Sequence, residues 1–170
     1  MPVSQIQNAS LASGVPGKAN LPTGSVLQVV QSTTTSSTNT SSTSYVDTAL
    51  TASITPSSST SKIFVLVQSN IWLFTGANGY NCYGLCNILR GATQIIQVNS
   101  MVDCQNTPNG PTGCAPVVIN YLDSPATTSS TTYKVQVRSG STSYSNQVTF
   151  NYNAGFGTPT ATITLMEIAA

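Results

Sequence analysis

Apolar residues recur along the chain in short runs, and in its second half they alternate regularly with polar ones. Every second residue of Thr132–Arg138 is apolar, and the same period returns in Gln147–Tyr152. A period of two residues is typical of a strand with one buried and one wet face. The pattern predicts β-structure.

Clusters of Gly, Pro, Asn, Asp and Ser separate these runs at short intervals, as they do in all-β sandwiches and barrels. The fold class predicted is therefore an all-β, antiparallel β-sandwich. The predicted strands are Ser25–Gln31, Tyr45–Ile54, Lys62–Phe74, Cys82–Arg90, Thr93–Val98, Ala115–Leu122, Thr132–Arg138, Gln147–Tyr152 and Thr160–Ile168.

Two predicted strands are apolar on both faces. The run Ile63–Val67 does not alternate, and the last strand places Ile163 and Leu165 on one face and Met166 and Ile168 on the other. A small sandwich has few layers to cover both faces, so we expect an oligomer whose contact includes these four residues of the last strand. The alternative is that they only cap the core of a single chain, since isolated exposed apolar residues are ordinary.

The first 24 residues differ from the rest, because single apolar residues stand among three prolines, three glycines and small polar residues. This composition disfavours both a helix and a central strand. We expect an extended arm over 1–24 that docks on neighbouring subunits, followed by one sandwich domain over 25–170. A disordered terminus is the alternative. The anchoring residues expected in the arm are Val3, Ile6, Leu11, Val15 and Leu21.

Composition narrows the function classes. Ser and Thr supply 49 of 170 residues, and only nine residues are charged, with a net charge of +1. So few scattered cations argue against a nucleic-acid partner. No apolar stretch approaches the roughly 20 residues of a membrane span, and the N-terminus lacks a secretion-signal pattern. We expect synthesis in a cytoplasm and no membrane partner.

The four cysteines are expected to be free thiols in a reducing cytoplasm. Cys82 and Cys86, four residues apart, fall on one face of a strand and are too far apart to bridge each other. Cys104 and Cys114 bracket a loop rich in Gly, Pro and Asn that a late disulfide could close. That bridge remains the alternative.

Catalytic chemistry has little support in this sequence. There is no histidine, which removes the commonest general base and most catalytic zinc sites. The acids Asp47, Asp103, Asp123 and Glu167 are scattered, and Asp123 is expected to form a turn before Ser124-Pro125. We predict a protein that is not an enzyme, with no catalytic, cofactor-binding or metal site.

Several segments together resemble small structural proteins of tailed bacteriophages of the marine and cyanobacterial type. The resemblance spans about residues 24–170, and its motifs are individually simple but ordered along the whole domain. It rests on Gly24–Gln31, the Ser/Thr tract leading to Ser44–Leu50, Ile54–Ile63, Asn120–Pro125, Ser129–Lys134 and Ala161–Ile168.

The resemblance implies a jelly-roll-like sandwich assembled as a homotrimer and located on the outer surface of a virion. The expected role is a capsid decoration, or cement, protein bound to the major capsid protein of the head. The alternative is a tail fibre or receptor-binding tip that contacts the host surface, for which the candidate aromatic residues are Trp72, Tyr80, Tyr83 and Tyr144. The loops Thr75–Asn81 and Asn99–Cys114 fit the group's pattern least, and they are where this protein would recognise its particular partner.

Overall fold

The computed structural model describes residues 21–76, 81–98, 103–105, 113–141, 146–155 and 157–170, and of Asn81 and 103–105 only the backbone. Within these ranges the regular structure is entirely β. The strands are β1 (Val26–Thr34), β2 (Thr38–Thr40), β3 (Val46–Ile54), β4 (Lys62–Phe74), β5 (Asn81–Arg90), β6 (Thr93–Val98), β7 (Asp103–Gln105), β8 (Gly113–Asp123), β9 (Thr131–Ser139), β10 (Gln147–Phe150) and β11 (Ala161–Ile168).

The antiparallel pairs are nested along the chain. β1 pairs with β11, β2 with β10, β3 with β9, β4 with β8, and β5 with β6 and β7. The chain is thus one long hairpin whose tip is β5–β6. Rolling this hairpin brings β4 against β10 and β11, and β5 against β9. A rolled, nested hairpin of this kind is a jelly roll.

The roll produces two sheets. Sheet 1 has the order β1-β11-β4-β8. Further along β4, β10 takes the place of β11 and β2 takes the place of β1. Sheet 2 has the order β3-β9-β5-β6, with β7 also paired to β5. The expected antiparallel β-sandwich is confirmed.

The core lies between the sheets and is built from the alternating apolar positions. Tyr133, Val135 and Val137 of β9 are fully buried against Ile63, Val65 and Val67 of β4 in one apolar cluster. Gly84 of β5 is a point of close approach, because a Cβ there would lie 3.0 Å from a Val148 methyl carbon and 3.1 Å from one of Leu73. The two sheets are therefore packed tightly at this level.

The predicted bounds of β4 and β6 are correct, whereas β2 and β7 were not predicted. The Ser/Thr tract 32–43, which lies outside the predicted strands, supplies the end of β1 and all of β2 at the edge of sheet 1. β10 ends at Phe150 rather than Tyr152, because Asn151 has a φ of 54°. Its Nδ2 donates to the backbone oxygens of Thr34, Ser36 and Pro159 at 3.2–3.3 Å, which ties this break to the edge.

Candidate assembly surface

The solvent side of sheet 1 carries an apolar row that crosses the sheet from edge to edge. In register, Val29 of β1 lies opposite Met166 of β11, Met166 opposite Phe64 of β4, and Phe64 opposite Leu122 of β8. Residues paired in this way point to the same face. We call this row and its neighbours the outer apolar face: Val26, Val29, Phe64, Leu66, Val118, Leu122, Met166 and Ile168.

Much of this face is open to solvent. Val26, Val29, Val118 and Leu122 are 51–60% exposed, and the other four residues are partly buried. Among the outward positions of β1, β4, β8 and β11, Lys62 carries the single charge. A contiguous apolar surface with so little charge is typical of a protein contact site.

Aromatic side chains extend the apolar surface toward β10. Trp72 lies between Phe74, at 5.6 Å between ring centroids, and Tyr152, at 4.9 Å, and all three rings are nearly parallel. Both flat faces of Trp72 are therefore in contact with another ring, and all three side chains are partly buried. Asn70 accepts a hydrogen bond from the Tyr152 amide and donates one to its carbonyl, which fixes the position of Tyr152.

The solvent side of sheet 2 is different. Lys134 of β9 pairs with Asp47 of β3 at 2.7 Å, Gln136 donates to the same carboxylate, and the Arg138 guanidinium lies 5.3 Å from the centre of the Tyr45 ring. The hydrogen bonds from Lys134 and Gln136 lower the pKa of Asp47. We call this surface the outer polar face.

Apolar residues of β5 on this side are hidden. Leu85 and Leu89 are only 5% and 8% exposed, and they stand in register beside Arg138 and Lys134. Long cationic side chains cover apolar neighbours with their alkyl stems while the charged groups stay in water. On the outer polar face, the charged groups therefore have partners, and the apolar side chains are covered, within one chain.

Two buried carboxylates lie in one row on the inner face of sheet 1. Glu167 and Asp123 are each directly opposite Ile63, on its two sides, and they are 0% and 5% exposed. Arg90 of sheet 2 contacts both Asp123 oxygens at 2.8 Å, and the Tyr133 hydroxyl donates to Asp123 at 2.7 Å. Asp123 therefore joins the two sheets, and its prediction as a turn former was wrong.

Glu167 is held by neutral donors. Gln28 donates to it at 2.7 Å, and the amide and hydroxyl of Ser57 each donate at 2.6 Å. Burial alone would raise the pKa of Glu167, but the hydrogen bonds from Ser57, Ser61 and Gln28 outweigh burial and lower it to about 2. The carboxylate fastens β1 and the β3–β4 connection to the last strand, directly behind the apolar row.

The residues predicted for the oligomer contact divide into two groups. Ile163 and Leu165 are fully buried in the core of a single chain, so their assignment to the contact was wrong. Met166 and Ile168 lie on the outer apolar face. Alternation separates the two pairs, and Phe64 and Leu66 of the non-alternating run join the outward pair.

Most of the predicted arm, including Val3, Ile6, Leu11 and Val15, lies outside the described residues. Leu21 lines a cleft of about 420 Å³ with Leu27 and Ser57 beside the last residues of the chain. Gly24 donates its amide to the Ala169 carbonyl at 2.8 Å, which fixes the chain just before β1 to the end of the last strand.

Two of the four candidate receptor-contacting aromatics lie within the described residues. Trp72 is partly buried in the stack, and Tyr80 and Tyr144 lie outside the described residues. The Tyr83 ring packs on Gly140, where an added Cβ would lie 2.0 Å from ring carbons. Tyr83 is thus fixed by a backbone contact.

The cysteines differ from the prediction of four free thiols. Cys82 is disulfide-bonded, and the backbone register places Cys104 of β7 directly opposite it. Cys86 is a buried free thiol whose pKa burial raises to about 12, and Cys114 is an exposed free thiol. Cys114 therefore does not form the alternative bridge to Cys104, because β8 carries it to the outward side of sheet 1 beside Trp72.

Across the described ranges, no helix is long and apolar enough to cross a membrane. The same residues contain no cluster of three or more His, Cys, Asp or Glu side chains placed to hold a metal ion.

Searches of protein-family models and of curated proteins found no match to this sequence. Solved structures similar to it include chains from infectious bursal disease virus. A chain of the Gx strain structure has a TM-score of 0.38 and 14% identity, and the alignment covers 85% of this chain and 37% of that one. A chain of the VP2 subviral particle has a TM-score of 0.36 and 12% identity, with 85% and 42% covered. The protein thus spans about two-fifths of those chains, and at these scores the likeness supports no functional assignment.

Proposed function

We propose that this protein is a non-enzymatic structural component of a tailed-phage virion, namely a trimeric decoration protein that binds the assembled head shell. The observation that carries the proposal is the outer apolar face, because large exposed apolar surfaces are rare on monomeric proteins and usually mark binding sites. The resemblance to small phage structural proteins and the jelly-roll topology, which recurs in viral capsid domains, agree with it.

The proposed arrangement uses two different parts of the chain. Outer apolar faces pack against one another in a homotrimer, which removes Val29, Leu122 and their neighbours from water. The arm over 1–24 then lies across neighbouring major capsid subunits. Because the trimer binds only the assembled lattice, it stabilises that lattice by mass action.

Quantitative binding to particles that lack the protein tests this role. Bound copies are counted on gels and located by electron microscopy, and we expect hundreds of copies distributed over the head. A variant without residues 1–20 should remain a folded trimer that no longer binds. Binding retained by that variant would refute the anchoring role of the arm, and no binding by the full chain would refute the decoration role.

A tail-tip protein that contacts the host surface is the second candidate, and the partly exposed aromatic stack of Trp72, Phe74 and Tyr152 favours it. The same microscopy separates the two roles, because a tip protein would appear in a few copies at the tail. Trp72→Ala should then reduce adsorption to host cells while leaving attachment to the particle unchanged.

A further inference from the structure

We propose that the free edge of β8 is a strand-pairing site for β8 of a second copy of this chain, so that two copies of sheet 1 join into one continuous sheet. The edge borders the outer apolar face and shares Val118 and Leu122 with it, and the pairing holds or fails independently of the virion role.

The open edge follows from the pairing scheme. β8 pairs with β4 over its full length from Gly113 to Asp123, and no other described strand pairs with it. At eleven residues it is the longest edge strand of the described sandwich. From Gly113 to Leu122 it carries no charged side chain, and a long uncharged edge is the kind of strand that natural proteins usually protect or use for pairing.

The backbone groups that face this open edge can be identified. The Asn70 carbonyl accepts a hydrogen bond from Asn151, so the polar backbone groups of Asn70 point away from β8. In an antiparallel ladder such residues alternate, and Asn70 lies opposite Pro116. The N–H and C=O groups of Val118, Asn120 and Leu122 therefore point away from β4, toward the open edge. Pro116 occupies an equivalent position, so its missing N–H costs no hydrogen bond to β4.

One register satisfies all of these groups. When two antiparallel β8 strands are centred on Asn120, Asn120 lies opposite Asn120 of the second copy. Val118 of each copy then lies opposite Leu122 of the other. The N–H groups of all three residues then have carbonyl partners. Val118 and Leu122 are 60% and 53% exposed, so the pairing also covers apolar side chains.

A second copy suits this edge better than a charged partner. Between Gly113 and Leu122 the strand carries no charged residue, so two copies bring no like charges together. The outer apolar faces of the two copies would also become continuous across the new strand pair. A contact of this kind has twofold symmetry, and it therefore joins copies that belong to different trimers.

A register-specific cysteine scan tests the pairing in the purified full-length protein. In a Cys114→Ser background, single cysteines are placed at positions 118, 120 and 122, and the protein is treated with a mild oxidant. Paired Cα atoms at position 120 would be about 5.5 Å apart, within the range of a disulfide. Position 118 would be about 14 Å from its own copy along the strand.

The expected result is a covalent dimer for Asn120→Cys, at least tenfold more abundant than for Val118→Cys or Leu122→Cys alone. Mixing the Val118→Cys and Leu122→Cys proteins should restore crosslinking. Equal crosslinking at all three positions, or none at position 120, would overturn the proposal.

A second variant examines the hydrogen bonds themselves. Asn120→Pro removes an N–H that the β4 ladder does not use, so the fold should persist as it does with Pro116. It should lower dimerisation through this edge at least tenfold in sedimentation experiments, whereas Asn120→Ala, which keeps the N–H, should not. Unchanged dimerisation of a folded Asn120→Pro protein would contradict the strand pair.

Discussion

The two solvent faces of the sandwich have the same strand periodicity but opposite surface chemistry: sheet 2 presents polar and charged side chains to water, whereas sheet 1 presents apolar ones. On sheet 2, Asp47 holds Lys134 and Gln136, and the buried Leu85 and Leu89 stand beside long polar chains. On sheet 1, Val29 and Leu122 stand 57% and 53% exposed at the two ends of an apolar row. Only the first face is covered within one chain, and the second is the surface where we propose that other subunits bind.

The largest expected effect comes from placing charge on the outer apolar face. Val29→Asp combined with Leu122→Asp should leave the fold intact, because both side chains are exposed, and should weaken self-association by about 100-fold or more. Light scattering should then give the 17.6 kDa mass of a single chain. Thr132→Asp on the outer polar face is the matched control, and equal weakening by that variant would remove the distinction between the faces.

A smaller effect is expected from the carboxylate behind the apolar row. The folded pKa of Glu167 is lowered to about 2 from 4.5, so its contribution to stability is present above pH 4.5 and is lost as the pH falls toward 2. At pH 2.5 the lost contribution amounts to about 2–3 kcal/mol. Urea unfolding between pH 7 and pH 2.5 should show this loss in the wild type and much less of it in Glu167→Gln.

Asp47→Asn is the comparison for that experiment. The Asp47 pair is exposed, so its removal should leave most of the acid sensitivity in place. If Asp47→Asn abolished the pH dependence and Glu167→Gln did not, the assignment of the acid-sensitive group to sheet 1 would be wrong.

The smallest effect is expected on the outer polar face itself. Lys134→Met breaks the ion pair with Asp47 but keeps an unbranched chain beside Leu89, so it should change the free energy of unfolding by less than about 1 kcal/mol. Denaturant unfolding measures this change, with Lys134→Arg as the charge-preserving control. A loss of several kcal/mol would mean that the polar face holds the sheets together.

The fold was largely predictable because its strands carry the signal within their own sequences. β4 was predicted with correct bounds since a long run rich in β-branched and aromatic residues ends at turn-forming residues on both sides. β2 consists of Thr-Asn-Thr and forms only because β10 lies beside it. Pairing of that kind depends on distant residues and leaves no local pattern.

The assembly surface was predictable in part. The non-alternating run of β4 and the two-sided last strand indicated an additional contact. Alternation puts Leu165 and Met166 on opposite faces, but only the structure shows that the face of Leu165 is the one buried in the core. Asp123 and Glu167 are far apart in the sequence, so they were not predicted to lie together. Asp123 also stands before a turn signal, where an exposed side chain is expected. Their positions on both sides of Ile63 arise from the rolled topology, which spacing along the chain does not reveal.

Hydroxyl-radical footprinting of the protein in dilute solution and in its assembled state tests the central claim most directly. We expect Val29, Leu122 and Met166 to lose most of their reactivity on assembly, while Tyr45 on the outer polar face keeps its own. Protection of Tyr45 with unchanged reactivity of Met166 and Leu122 would contradict it and assign assembly to sheet 2.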